Sequence, residues 1–258
     1  MDTAAASFED LLAEGAAVPV DSWDFSWFAG RASEERPPWG YAGLVAQRLG
    51  RAQAVLDVQT GGGEVLAFAL GRAGRRPGRV AATEPYAPNL ALARDRLGPF
   101  GGTVEPASDD GALPFADDAF DLVVSRHPVV TPWDEIARVL EPGGTVLTQQ
   151  VGPGSNGELI ELLMGPQPVG SARHPERAVP AAEHAGLEVV DRREARCRVE
   201  LGDVGAVVHF LRKVPWTVPG FTVDAYRDRL LGLHEVIGAE GPFVCHSTRF
   251  LLEARAVA

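Results

Sequence analysis

The sequence predicts an α/β fold with a doubly wound, mostly parallel sheet and helices on both of its faces. Two observations carry this. From residue 53 onward, short apolar runs alternate with segments of about ten residues that repeat apolar side chains at helical spacing. The first of these runs, 54–58, is continuously apolar until an acid near its end, as in a strand buried on both faces.

Element by element, residues 6–17 read as a short amphipathic helix with Phe8, Leu11 and Leu12 on one face. An aromatic stretch follows, holding Trp23, Phe25, Trp27, Phe28, Trp39 and Tyr41 and broken by Pro37 and Pro38. Residues 41–50 then form a helix that Gly50 closes. Strands are expected at 54–58, 79–84, 103–107, 120–125 and 145–151. Helices are expected at 64–74, 87–98 and 132–140, where Pro132 suits a first turn. Beyond residue 152 the alternation loosens. There 158–165, 175–186, 204–214 and 223–238 read as helical, and 187–201 and 243–256 as strands. No internal repeat or low-complexity segment appears, so one domain is the simplest organisation.

Composition narrows the function. The chain has 258 residues and a net charge of −11, from 35 acids against 24 bases, one of them lysine. A phosphate backbone is repelled overall, and the arginines are scattered without the interleaved aromatics of a stacking surface, so nucleic acid is not expected as a partner. No run of eighteen apolar residues is present, and the N-terminus carries acids where a secretion signal carries lysines. Cys197 and Cys245 lack metal-ligand spacing, and no His/Cys/Asp/Glu cluster suits a metal. A cytoplasmic location, a small-molecule partner, no membrane and a monomer or homodimer are the expectations.

The strongest local motif is AVLDVQTGGGEVL, residues 54–66, in which an acid ends a strand, glycines follow and a helix begins. Glycines let the backbone pass close to a ligand, and the helix start offers unpaired N–H groups. A dinucleotide site wants G-x-G-x-x-G; Gly61 and Gly63 supply two positions, but the third is Leu66. The stretch instead resembles the D-x-G-x-G-x-G motif of class I methyltransferases that use S-adenosylmethionine. Asp57, Gly61 and Gly63 are in register, with Gln59 where that family has its first glycine. Glu84 ends the next strand, 27 residues after Asp57, and SDDGALPFADDAFDLVVS (108–125) and EIARVLEPGGTVL (135–147) match later motifs in correct order.

This resemblance covers roughly residues 53–151. It implies a Rossmann-like, seven-stranded sheet with an antiparallel last strand. By residue, Glu84, followed by Pro85, takes the ribose hydroxyls, since a carboxylate is a natural bidentate acceptor. Asp109 meets the adenine amino group and Asp110 offers its backbone at the ring edge. Gln59 lies near the methionine portion, and Ser125, Arg126 and His127 follow the fourth strand beneath the reacting centre. It also divides the chain into an N-terminal helical and aromatic cap (1–50), a cofactor-binding core (51–152), and a C-terminal half of the sheet with a substrate-side helical insertion (153–258).

His127 is the candidate catalytic residue, either a general base toward a hydroxyl or a side chain packed beside Pro128 that takes no proton. His174, His184, His209, His234 and His246 are expected to be structural. Trp23, Trp27, Trp39, Tyr41 and Trp216 are the candidate substrate-binding aromatics; they either cage a sulfonium or flat substrate or staple the first helices to the core. SRHP after the fourth strand departs from the N/D-P-P-Y/F of enzymes acting on exocyclic base amines. Methyl transfer to an O or N atom of a small metabolite is the expectation. A non-catalytic S-adenosylmethionine-binding protein and a nicotinamide-dependent oxidoreductase stand as alternatives.

Overall fold

The computed structural model describes residues 6–20, 24–170 and 173–257. In chain order, α1 (Phe8–Ala17) is followed by β1 (Ala32–Glu34), α2 (Tyr41–Leu49), β2 (Ala54–Asp57), α3 (Glu64–Arg72), β3 (Arg79–Thr83), α4 (Ala87–Leu97) and β4 (Thr103–Glu105). Then come β5 (Phe120–Arg126), α5 (Trp133–Val139), β6 (Leu140–Val151), α6 (Gly157–Met164) and α7 (Pro175–His184). The chain ends with β7 (Leu187–Leu201), α8 (Val204–Lys213), α9 (Arg227–Glu240) and β8 (Phe243–Ala256). The described residues within 37–153, 171–195 and 249–258 form the larger of two units, and those within 1–36, 154–170 and 196–248 the smaller.

In the larger unit the strand order is β7-β8-β6-β5-β2-β3-β4. Pairs β2/β3, β2/β5, β3/β4 and β5/β6 are parallel, and β6/β8 is antiparallel, from Thr145 opposite Arg255 to Val151 opposite Arg249. Successive strand residues face opposite ways, and each face is covered. Val55, Leu122, Val124, Leu147 and Leu251 pack with Leu49 of α2, Leu66 and Leu70 of α3 and Leu97 of α4. Leu56, Val123, Val146 and Leu252 pack with Trp133 and Ile136 of α5 and Ala182 of α7. This two-sided burial is why the strands read as unbroken apolar runs. Each fully buried Leu or Val contributes about 1.5–3 kcal/mol relative to exposure.

Among the described residues there are eight strands rather than seven, because β1 adds a short edge strand, with Ala32 opposite Leu201 of β7. The sequence offers no signal for it: three residues, one partly exposed and two exposed, show no alternation. β6 also starts earlier than expected, at Leu140, which pairs with Phe120 before an irregularity in register.

The smaller unit has its own core, where Leu11 and Leu12 of α1, Leu159 and Leu163 of α6, Val207 and Leu211 of α8, and Leu230 and Leu233 of α9 are buried together. Ser7 and Asp10 form a capping box that starts α1. Helices α1 and α8 approach so closely at Gly15 that a Cβ there would lie 2.3 Å from the Gly205 carbonyl oxygen. Gly71 of α3, by contrast, has open space around its missing Cβ.

These two glycines should therefore respond in opposite directions in urea unfolding. Gly15→Ala should cost about 1–3 kcal/mol through overpacking, whereas Gly71→Ala should gain up to about 1 kcal/mol from helix propensity.

Candidate active site

The carboxyl ends of β2, β3 and β5 deliver Asp57, Glu84 and Arg126–His127, the place where parallel sheets present ligand-binding loops. Between Asp57 and α3 the backbone enters the left-handed region at every second residue: Gln59 at φ 58°, Gly61 at φ 63° and Gly63 at φ 78°. Gly61 faces open space where a side chain would stand, and its N–H donates to Glu84 Oε2 at 2.8 Å. A Cβ on Gly63 would lie 3.3 Å from Ala93 and Leu97 of α4, so that glycine serves helix packing.

Gln59 accepts a conformation that costs a non-glycine residue about 1–2 kcal/mol. Its side chain offsets this. Nε2 donates to Val130 O at 2.7 Å and Asp109 O at 3.3 Å, and Oε1 accepts from Val129 N at 2.6 Å. Three hydrogen bonds at about 0.5–1.5 kcal/mol each outweigh the backbone strain. One side chain thus ties the loop after β4 to the loop after β5.

Asp57 is buried, with Thr60 Oγ1 donating to its Oδ2 at 2.6 Å. Burial pushes its carboxyl from 3.8 up to about 7; the Thr60 bond and Arg126 oppose the rise, and nearby Glu84 adds to it. Glu84 is also buried, and desolvation raises it against the pull of N–H donors from Tyr86 and Gly61. Pro85 is exposed beside it. Asp109 Oδ1 is buried without a hydrogen-bond partner, and desolvation followed by neighbouring Asp110 raises that carboxyl. Asp110 itself is exposed.

The 108–118 loop is held from outside the motif. Arg138 donates to the carbonyls of Leu113 and Phe115 and pairs with Asp117 and Glu135, while Glu135 accepts from Leu113 N at 2.6 Å.

Ser125 is buried, its hydroxyl donating to Val58 O at 2.9 Å. His127, at φ 56°, donates its backbone N–H to Gln149 O at 2.7 Å. Trp39 Nε1 donates to Gln149 Oε1 at 2.8 Å, which fixes the amide so that its Nε2 faces His127 Nε2 at 3.0 Å. Gln149 then donates, the His127 Nε2 lone pair accepts, and the imidazole proton sits on Nδ1. Burial and the charges of Arg126, Arg249 and Arg173 all hold His127 well below its ordinary value, which keeps this ring neutral.

The candidate aromatics separate. Trp39 stands in the larger unit on Gln149. Tyr41 is buried there, its hydroxyl 2.8 Å from Ser125 O, and burial raises that hydroxyl's pKa well above its usual value. Trp27 belongs to the smaller unit, edge-on to His209 with the Arg31 guanidinium over its ring at 4.1 Å. Trp216, also in that unit, is half exposed. Trp23 lies outside the described residues. Sequence reasoning missed Thr60, Gln149 and Arg138; a polar Gln149–Gln150 pair closing the apolar run of β6 was the available signal.

Residues 56–148 match the family model described as "Methyltransferase domain". A Mycobacterium tuberculosis protein is 28% identical over 255 residues, covering 93% of this chain and 88% of its own length. Among solved structures, BH2331 of Bacillus halodurans superposes with a TM-score of 0.58 at 18% identity, covering 84% of this chain and 99% of its own. Phosphoethanolamine N-methyltransferase 2 of Haemonchus contortus, solved with S-adenosyl-L-methionine, gives 0.50 at 19% identity over 85% of this chain and 53% of its own. Identity this low speaks to the fold. Among the described residues no helix is long and apolar enough to cross a membrane.

Two outcomes follow from the geometry. Folding raises the Asp57 pKa, so the folded chain keeps a proton that the unfolded chain releases above about pH 4. Stability from this group is present below that value and is lost as pH rises toward about 7. In urea, wild-type stability should fall relative to Asp57→Asn across that window and then level off. Gln59→Gly should accelerate hydrogen exchange at the Val129 amide while costing about 1–2 kcal/mol net.

Proposed function

We propose that the chain, whose residues 56–148 match a methyltransferase-domain model, is a class I S-adenosylmethionine-dependent methyltransferase that methylates an O or N atom of a small molecule. The carrying observation is the ligand-ready edge of the sheet, where the backbone at Gly61 is open, Glu84 stands beside it and Asp109 Oδ1 is a buried acceptor with no partner. These features fit the cofactor. Glu84 accepts from ribose hydroxyls, with Pro85 beside it; Asp109 Oδ1 accepts from the adenine amino group, and Asp110 lends its backbone at the ring edge. Asp57 and the Gly61–Gly63 turn support the methionine end, and Gln59, Ser125 and Arg126 hold the surrounding loops.

When bound, the cofactor supplies a methyl group on a sulfonium, the electrophile of an in-line displacement. The protein's task is to align the acceptor and exclude water. His127 is placed to touch the acceptor from the carboxyl end of β5. With its Nε2 lone pair engaged by Gln149, it suits an acceptor that attacks without losing a proton to it, either a neutral amine or an oxygen already ionised. In the larger unit, Trp39 and Tyr41 are the proposed substrate-side aromatics. The acidic net charge supports a small-molecule partner over nucleic acid, and a cytoplasmic location is part of the reading. A monomer or homodimer acting as one methyltransferase domain completes the reading.

The alternative of a non-catalytic S-adenosylmethionine binder is favoured by one observation, the Gln59 side chain spanning the two loops at the cofactor turn. Calorimetric titration with S-adenosylmethionine, S-adenosylhomocysteine, NAD and NADP tests the proposal. The first pair alone should bind, and Glu84→Ala should weaken it by about 2 kcal/mol, roughly thirtyfold. Binding without S-adenosylhomocysteine formation on any acceptor panel favours the non-catalytic reading; NAD binding alone overturns both.

A further inference from the structure

The surroundings of His127 say what kind of molecule it meets. In the larger unit, Arg126 at the end of β5 lies opposite Gln149 of β6 in register. Two residues on, Val151 of β6 lies opposite Arg249 of β8. Because β8 is antiparallel to β6, its Arg249 end returns to the level where β5 and β6 finish. Arg173, just before α7, adds a third guanidinium whose charge reaches the imidazole. A chain with eleven more acids than bases thus has three guanidiniums whose charges reach one half-buried ring.

The hydrogen-bond inventory has the same polarity. Trp39 fixes Gln149, Gln149 fills the only acceptor position of the imidazole, and His127 is left presenting an N–H at Nδ1, which has no protein partner among the described residues. A guanidinium carries donors only. A neutral imidazole N–H among three guanidiniums recognises anionic oxygen, and a cationic group there would be repelled.

We infer that the acceptor molecule carries an anionic group, a carboxylate or phosphate, bound by His127 Nδ1–H together with Arg126, Arg173 and Arg249. Trp39 and Gln149 are positioning residues that hold His127 in its donor form. The inference deepens the proposed function and rests on it. It also accounts for the length of the relay. A base would need the Nε2 lone pair free, whereas a donor needs it filled, and the half-buried Trp39 acting through the buried Gln149 is the means of filling it.

The test uses full-length protein labelled with ¹⁵N-histidine and saturated with S-adenosylhomocysteine, titrated separately with inorganic phosphate, benzoate and neutral benzamide. The His127 resonances, assigned by their loss in His127→Asn, should show an unprotonated Nε2 and a protonated Nδ1. The Nδ1 signal should shift saturably with phosphate or benzoate, and the anion that binds distinguishes the two sources. Benzamide should leave it unmoved. In Arg173→Gln/Arg249→Gln the anion affinity should fall by about tenfold or more, the loss of a charge-assisted contact, with S-adenosylhomocysteine affinity unchanged. A proton on Nε2, equal binding of benzamide, or no saturable shift while S-adenosylhomocysteine still binds would each overturn the inference alone. Failure of S-adenosylhomocysteine to bind would instead remove the proposed function, and the inference with it.

Discussion

The turn between β2 and α3 must reverse the chain within a few residues while leaving its backbone reachable, and it does so by entering the left-handed region at 59, 61 and 63. Glycine takes that conformation without steric cost; glutamine does not. The structure keeps glycine where the backbone must stay open at Gly61 and where a helix presses close at Gly63. At Gln59 it accepts strain and recovers more through three side-chain hydrogen bonds. The positions of Glu84, of the Asp109 loop and of the loop behind His127 all follow from that arrangement, because each is bonded to this turn.

Electrostatics divide the same sheet edge. One part holds Asp57, Glu84 and Asp109, carboxyls that burial raises and that offer acceptors. The other holds a neutral His127 beside Arg126, Arg173 and Arg249 and offers donors. Arg126 is felt by both, lowering Asp57 and His127 alike. A site divided in this way suits the proposed ligands, hydroxyl and amino donors on one side and an anion on the other.

Much of this was legible in the chain. Every strand from β2 onward lies where an apolar or alternating run occurs, because a sheet covered on both faces imposes that pattern on its residues. Asp57, Glu84 and Asp109 were legible because a strand end, a glycine turn and a loop motif are local in sequence. β1 was not, since three residues at an edge owe their conformation to the neighbouring β7 and not to their own pattern. Nor was the relay of Trp39, Gln149 and His127, whose members are 110 and 22 residues apart and meet only through sheet register.

The sequence by itself determined the order of elements, the apolar runs of the sheet, and the acids at the strand ends, because periodicity and turn chemistry act over a few residues. Only the tertiary structure decided which nitrogen of His127 carries its proton, that Gln59 is a clamp between loops, and that scattered arginines converge on one ring. Those outcomes depend on distances between strands remote in the chain, and hydrogen bonding and charge respond to such distances within a few ångströms.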